Sequence, residues 1–228
     1  MANYSHYCGL ALLILLSACS SLTEQAGTSS EVSPGANTEQ AAAQPLISPY
    51  QQQAKPAASE AKKVYAAARE AMAAEQWQQA EQHLQWIVAH YPEYSGPVLN
   101  LAIVAEQQGQ PKQAEQYYRK AIQVNKNNLS AYNRYAIFLR QQGRFSDAEN
   151  YYQKAIAVWQ YDADSHRNLG ILYELYMGRL ADAKQHYQQY LQLREQAQPD
   201  FSPDKAYKQV QGWVIDVERR LQKQEAAG

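Results

Sequence analysis

The pattern of apolar and polar positions changes twice along this chain. Residues 10–16 form an unbroken apolar run, Leu-Ala-Leu-Leu-Ile-Leu-Leu. The run is far shorter than the roughly 20 residues a bilayer-spanning helix needs, and it has the length of the apolar centre of a secretory signal peptide. Residues 20–60 carry almost no large apolar side chains, are rich in Ala, Gln and Ser, and hold prolines at 34, 45, 49 and 56. Such a segment buries too little surface to offset the entropy of ordering it, which predicts a disordered tether. About 40 residues of coil reach roughly 35 Å. From residue 61 onward apolar residues return at three- and four-residue spacings, the signature of amphipathic helices.

Those helices repeat. Ala114-Glu115-Gln116-Tyr117-Tyr118-Arg119-Lys120-Ala121-Ile122 recurs 34 residues later as Ala148-Glu149-Asn150-Tyr151-Tyr152-Gln153-Lys154-Ala155-Ile156. The same phase places Ala80 before Ala114, and Ala183 follows Ala148 after one inserted residue near Met177-Gly178-Arg179. A fixed period of this length marks stacked helix–turn–helix units. Gly109 and Gly143 fall where a first helix should end in the left-handed region. Pro111 suits a first helical turn, where its missing N–H costs nothing. Ser146-Asp147-Ala148-Glu149 reads as a capping box that opens a second helix. A final helix is expected with Ser202 as its cap and Pro203 at its start. Its apolar stripe is Tyr207, Val210, Val214, Val217 and Leu221, and Arg219, Arg220 and Lys223 suit the negative end of its dipole.

This arrangement resembles the tetratricopeptide repeat. The resemblance implies an all-α solenoid of about four helix–turn–helix repeats, at residues 61–94, 95–128, 129–162 and 163–197. A capping helix over 202–224 would close the last repeat, because a solenoid needs a terminal unit with one polar face. The family places a small residue at the eighth position, here Ala68, Ala102, Ala136 and Gly170. It places another at the twentieth, here Ala80, Ala114, Ala148 and Ala183. Its usual Trp at the fourth position is replaced by Val64, Val98, Tyr132 and His166.

Leu16-Ser17-Ala18-Cys19 resembles the bacterial lipobox, with residues 1–18 as the lipoprotein signal and 19–60 as the acylated cysteine and linker. The resemblance implies cleavage before Cys19 and its acylation, and acyl chains together make a stable membrane anchor. Ser20, by the same resemblance, permits export to the outer membrane, with the protein facing the periplasm. The first nine residues carry no Lys or Arg, a departure from the usual signal.

Lys plus Arg total 21 against 22 for Asp plus Glu, a balance that gives no support to nucleic-acid binding. Both cysteines lie within the first 19 residues, so neither a disulfide framework nor a thiolate metal site is expected in the repeats. The histidines show no metal or triad spacing and there is no glycine-rich phosphate loop. No catalytic residue, metal or cofactor is therefore expected.

The surface remains. In the family the first helix of each pair lines a concave groove. At the repeat's sixth position stand Asn100, Arg134 and Asn168. Asparagines there resemble those of peptide-binding members, where a side-chain amide donates to and accepts from a ligand backbone. Asn133, Arg140 and Arg167 add polar groups nearby. Ile103, Ile137 and Ile171 recur at the ninth position, where they either line the groove or pack within their helix pairs. Tyr65 and Ser130 replace the two lysines of the family's carboxylate clamp. The resemblance implies a non-catalytic scaffold that holds a protein or peptide segment. Its nearest named group is the small repeat lipoproteins that assist type IV pilus and secretin assembly. An adaptor that presents substrates to a periplasmic protease or peptidoglycan hydrolase is the alternative, and an enzyme the remaining one.

Overall fold

The computed structural model describes residues 47–54, 56–197 and 200–227. Cys19, the leader before it and the linker up to residue 46 lie outside the described residues. Within them the chain begins with a single helical turn, α1 (Pro49–Gln52). Four antiparallel pairs follow: α2 (Ser59–Ala73) with α3 (Trp77–His90), α4 (Ser95–Gln107) with α5 (Pro111–Val124), α6 (Leu129–Gln141) with α7 (Phe145–Val158), and α8 (Ala163–Leu175) with α9 (Leu180–Gln196). A long helix, α10 (Lys205–Glu225), ends the fold, and no strand occurs among the described residues. This is an all-α repeat solenoid.

Each second helix packs on its own first helix and on the first helix of the next repeat, and α10 rests on α9. First helices form the inner layer. Helix α4 buries eight residues where α5 buries three, and α6 touches α8 directly across neighbouring repeats.

The small residues permit this packing. Ala68, Ala102 and Ala136 are fully buried at the eighth position, as are Ala80, Ala114, Ala148 and Ala183 at the twentieth. At residue 170 even a methyl group is too much. A Cβ there would lie 2.6 Å from the ring of Tyr187. Leu84, Tyr118, Tyr152 and Tyr187 then fill the space between helix pairs, each at most 1% exposed. Burying a side chain of this size contributes about 1.5–3 kcal/mol.

Backbone bonds set the turns. Gln76 N–H donates to Ala71 C=O at 2.8 Å, Gln110 N–H to Ala105 C=O at 2.8 Å, and Arg144 N–H to Leu139 C=O at 2.9 Å. In the fourth repeat Arg179 N–H reaches Tyr173 C=O at 2.9 Å, one residue further back. The inserted residue is absorbed there, inside the turn, and the helices keep their phase.

Three local expectations are corrected. Helix α7 starts at Phe145 with Arg144 as its cap residue, and no side chain caps it. Ser146 is therefore inside the helix and is not a capping-box serine. The reason is the turn bond from Arg144, which starts α7 in phase with α3 and α5. Helix α10 starts at Lys205, not at Pro203. Asp204 rather than Ser202 caps it, accepting from Tyr207 N–H at 2.8 Å while pairing with Arg194 of α9 at 2.8 Å. That ion pair fixes where the last helix can begin. The linker, lastly, does not extend to residue 60. Ser48 and Gln51 form a reciprocal capping box around α1, Ala58 N–H donates to Tyr94 Oη at 3.3 Å, and α2 is already helical at Ser59.

Candidate protein-binding groove

The inner layer presents the first helices α2, α4, α6 and α8, and repetition sets their side chains in rows. Ile103, Ile137 and Ile171 are half-buried. Ile137 and Ile171 pack against the core, so they form an apolar floor rather than projecting ribs.

The amides are committed to neighbouring repeats. Asn100 Nδ2 donates to Tyr65 Oη at 2.9 Å, which joins α4 to α2. Asn133, 8% exposed, donates from Nδ2 to Asp162 Oδ2 at 2.9 Å and to Ser165 Oγ at 2.8 Å. Asn168, also 8% exposed, donates to Asn133 Oδ1 at 3.4 Å. One repeat earlier, Asn128 Nδ2 donates to Ser95 Oγ at 2.9 Å while its Oδ1 caps α6. These bonds hold successive first helices in register. Asn100 keeps a half-exposed edge toward the groove, whereas Asn133 and Asn168 belong to the spine beneath it.

The cations are available. Arg134 is exposed, and among the described residues it forms no ion pair; the same holds for Lys62 and Arg69 on α2. Arg167 lies 3.5 Å from Asp164 and over the Tyr190 ring. Arg140 sits over the ring of Tyr176, 5.3 Å from its centroid, with no carboxylate partner among the described residues. Glu174, by contrast, is taken by Arg220 at 2.6 Å. The first helices thus carry Lys62, Arg69, Arg134 and Arg140 without an ion pair among the described residues, on a chain of net charge −1.

At its N-terminal end lies a cavity of about 440 Å³ between α1 and the start of α2 and α4, lined by Tyr50, Gln53, Lys62, Tyr65, Tyr94 and Gly96 among others. Sequence reasoning did not find this cavity, because it read residues 47–58 as linker. It also missed the inter-repeat spine, although Asn128 and Asp162 stand 34 residues apart at the same repeat position.

The outer helices carry a second ladder. Glu115 accepts from Tyr135 Oη at 2.7 Å, Arg119 at 2.7 Å and Arg144 at 2.9 Å. Glu149 likewise accepts from Tyr173 Oη and Arg179, at 2.7 and 2.8 Å. Burial alone would raise the Glu115 carboxyl, but the Tyr135 hydroxyl, Arg144 and Arg119 outweigh it and hold the group at about 2. In the fourth repeat His166 is buried, its Nδ1 3.0 Å from His186 Nδ1 and its Nε2 3.1 Å from Gln160 C=O. Burial and then the neighbouring His166 push His186 down to about 4, so the pair is neutral at pH 7.

Two tetratricopeptide-repeat family models match the chain, over residues 71–134 and 127–196. The chain belongs to the tetratricopeptide repeat family. Proteins of this family are generally protein–protein interaction scaffolds that bind peptides or proteins in the concave groove. Among solved structures, PilF of Pseudomonas aeruginosa is 22% identical with a TM-score of 0.59, over 72% of this chain and 69% of that one. A thermophilic repeat protein of Thermus thermophilus is 21% identical with a TM-score of 0.55, over 70% of this chain and 81% of that one. At these identities the likeness is one of fold. None of the curated proteins matches this chain in sequence.

Proposed function

We propose that this protein is a non-catalytic scaffold, a lipoprotein held at the outer membrane through Cys19 and facing the periplasm. It grips a segment of another envelope protein in the groove of α2, α4, α6 and α8, and so assists assembly or stability of an envelope complex such as a type IV pilus or its secretin. The observation that carries the binding role is the inner face itself: half-buried isoleucines flanked by Arg134 and Arg140, which have no acidic partner among the described residues. Leu16-Ser17-Ala18-Cys19 after the apolar run supports the anchor. The resemblance to the small lipoproteins of pilus assembly and the fold shared with PilF support the pathway.

Crosslinking in intact envelopes followed by purification tests the reading. The doubly substituted Arg134→Ala, Ile137→Asp protein should lose a specific envelope protein that the wild type captures, at unchanged expression. Cys19→Ala should abolish fatty-acid labelling and release the protein from the membrane fraction. Equal capture by the groove variant, or a wild type that fractionates as soluble, would overturn the respective part.

A further inference from the structure

One internal comparison singles out the third repeat. In the second and fourth repeats the side chain at the twelfth position is bonded by the large residue at the matching place of the second helix. In the first repeat both are apolar, Met72 and Leu84. In the second, Tyr118 Oη donates to Glu106 at 2.7 Å. In the fourth, Tyr187 Oη donates to Glu174 at 2.8 Å. The third repeat keeps the tyrosine, Tyr152, but carries Arg140 where its neighbours carry glutamate. The result is a pair of polar groups left without the carboxylate. Tyr152 Oη and both Nε and Nη1 of Arg140 are buried with no hydrogen-bond partner among the described residues. Tyr152 itself is 0% exposed.

Buried donors without acceptors are costly, about 1–3 kcal/mol each and more for a charged group. Repeat equivalence aims the Tyr152 hydroxyl at the side chain of residue 140, as Tyr118 aims at Glu106. Burial raises the Tyr152 phenol to about 12, and the positive charge of Arg140 partly opposes it, which agrees with their proximity. The guanidinium is held on its other side by the Tyr176 ring, which packs on Phe145. Arg140 as a whole is only half-buried, so part of its side chain reaches solvent. What fits a guanidinium left without an acceptor is a carboxylate. A guanidinium presents its N–H groups as a fork matched to the two oxygens of that group.

We propose that Arg140 receives a carboxylate carried by an acidic segment of the protein partner. The acid that the second and fourth repeats hold within the chain is supplied here by the partner. The surrounding charge agrees, since Lys62, Arg69 and Arg134 on the first helices also have no ion pair among the described residues. This inference rests on the groove reading above and adds to it the chemistry of the occupant.

The test is selection of 12-residue peptides from a random library on the immobilised full chain, followed by thermal melting of variants. The wild type should retain peptides enriched at least about threefold in Asp or Glu at one fixed position. Arg140→Met should lose that enrichment and keep the apolar preference, and Ile137→Arg should lose retention altogether. Arg140→Glu should rebuild the internal pair with Tyr152. It should melt higher, by about 2–4 °C if one such hydrogen bond is gained, while its affinity for the acidic peptides falls tenfold or more. Retention blocked by Ile137→Arg but without acidic enrichment, or enrichment that survives in Arg140→Met, overturns the carboxylate assignment and leaves the groove standing. Retention indifferent to Ile137→Arg overturns the groove reading and this inference with it. A lower melting point for Arg140→Glu contradicts the facing geometry of residue 140 and Tyr152.

Discussion

Replacing Gly170 by alanine should destabilise the protein, against the ordinary direction of that change in a helix. Alanine is favoured over glycine inside helices by about 0.5–1 kcal/mol. At this site the added methyl would lie 2.6 Å from Cδ1 and Cε1 of Tyr187 and 3.3 Å from its Cγ. The ring has nowhere to retreat. It is fully buried, its hydroxyl is held by Glu174 at 2.8 Å, and the Trp213 ring stands 5.3 Å away on α10. Overpacking of this kind costs about 1–3 kcal/mol, so the net loss should be about 1–2 kcal/mol. Gly212 on α10 is the control, because an added Cβ there meets no atom within 4 Å. Gly212→Ala should stabilise by up to about 1 kcal/mol. Urea titrations followed by circular dichroism give both midpoints, compared at constant slope. If Gly170→Ala raises the midpoint, or both variants move it the same way, the close approach of α8 to Tyr187 is wrong.

Four further outcomes follow from the packing and the charges. Ala148→Leu, at a fully buried contact between α6 and α7, should cost about 1–3 kcal/mol, read as a lower thermal midpoint. Asn133→Leu should cost a similar amount by unfolding titration, because it strips Ser165, Asp162 and Asn168 of a shared partner. Glu115→Gln should reduce the loss of stability between pH 4.5 and 2. The carboxyl is held at about 2 in the fold against 4.5 free, so its stabilisation is present above pH 4.5 and is lost as pH falls toward 2. At pH 7 the substitution should cost about 1–3 kcal/mol, the half-exposed arginines screening part of the pair. His186, at about 4 against 6.5 free, acts in a separate window. The unfolded chain takes up the proton first, so stability should fall by up to about 3 kcal/mol as pH drops from 6.5 to 4. His186→Phe should flatten that window in melting curves.

How much of this was legible in the sequence depends on what carries it. The 34-residue phase revealed the eight repeat helices, because Ala80, Ala114, Ala148 and Ala183 recur where two backbones meet. A pattern of that kind survives any choice of surface residue. Cap positions were less legible. Ser146 and Ser202 have capping chemistry, but the turn bond from Arg144 and the ion pair between Asp204 and Arg194 fix the starts elsewhere. The groove was legible in position and only partly in role. Sequence spacing places Asn100, Arg134 and Asn168 in one row, yet cannot tell that Asn168 turns inward to Asn133 while Arg134 stays in solvent. Side-chain direction at a helix–helix seam depends on the partner across it, and that partner lies about 34 residues away. The mismatch at Arg140 was readable once Glu106 and Glu174 were set beside it, but its meaning needed the hydroxyls of Tyr118 and Tyr187 to be seen on those carboxylates.

The central claim is that the inner face of the first helices holds a protein partner. It is tested most directly by placing a photo-crosslinking amino acid at single positions of the full chain in intact envelopes. Arg134, exposed on α6, samples the inner face, while Gln116 on α5 and Asn150 on α7 are exposed on second helices. Illumination should join one discrete protein to the probe at residue 134 and give no such adduct at 116 or 150. An adduct at 116 or 150 with none at 134 would contradict the account.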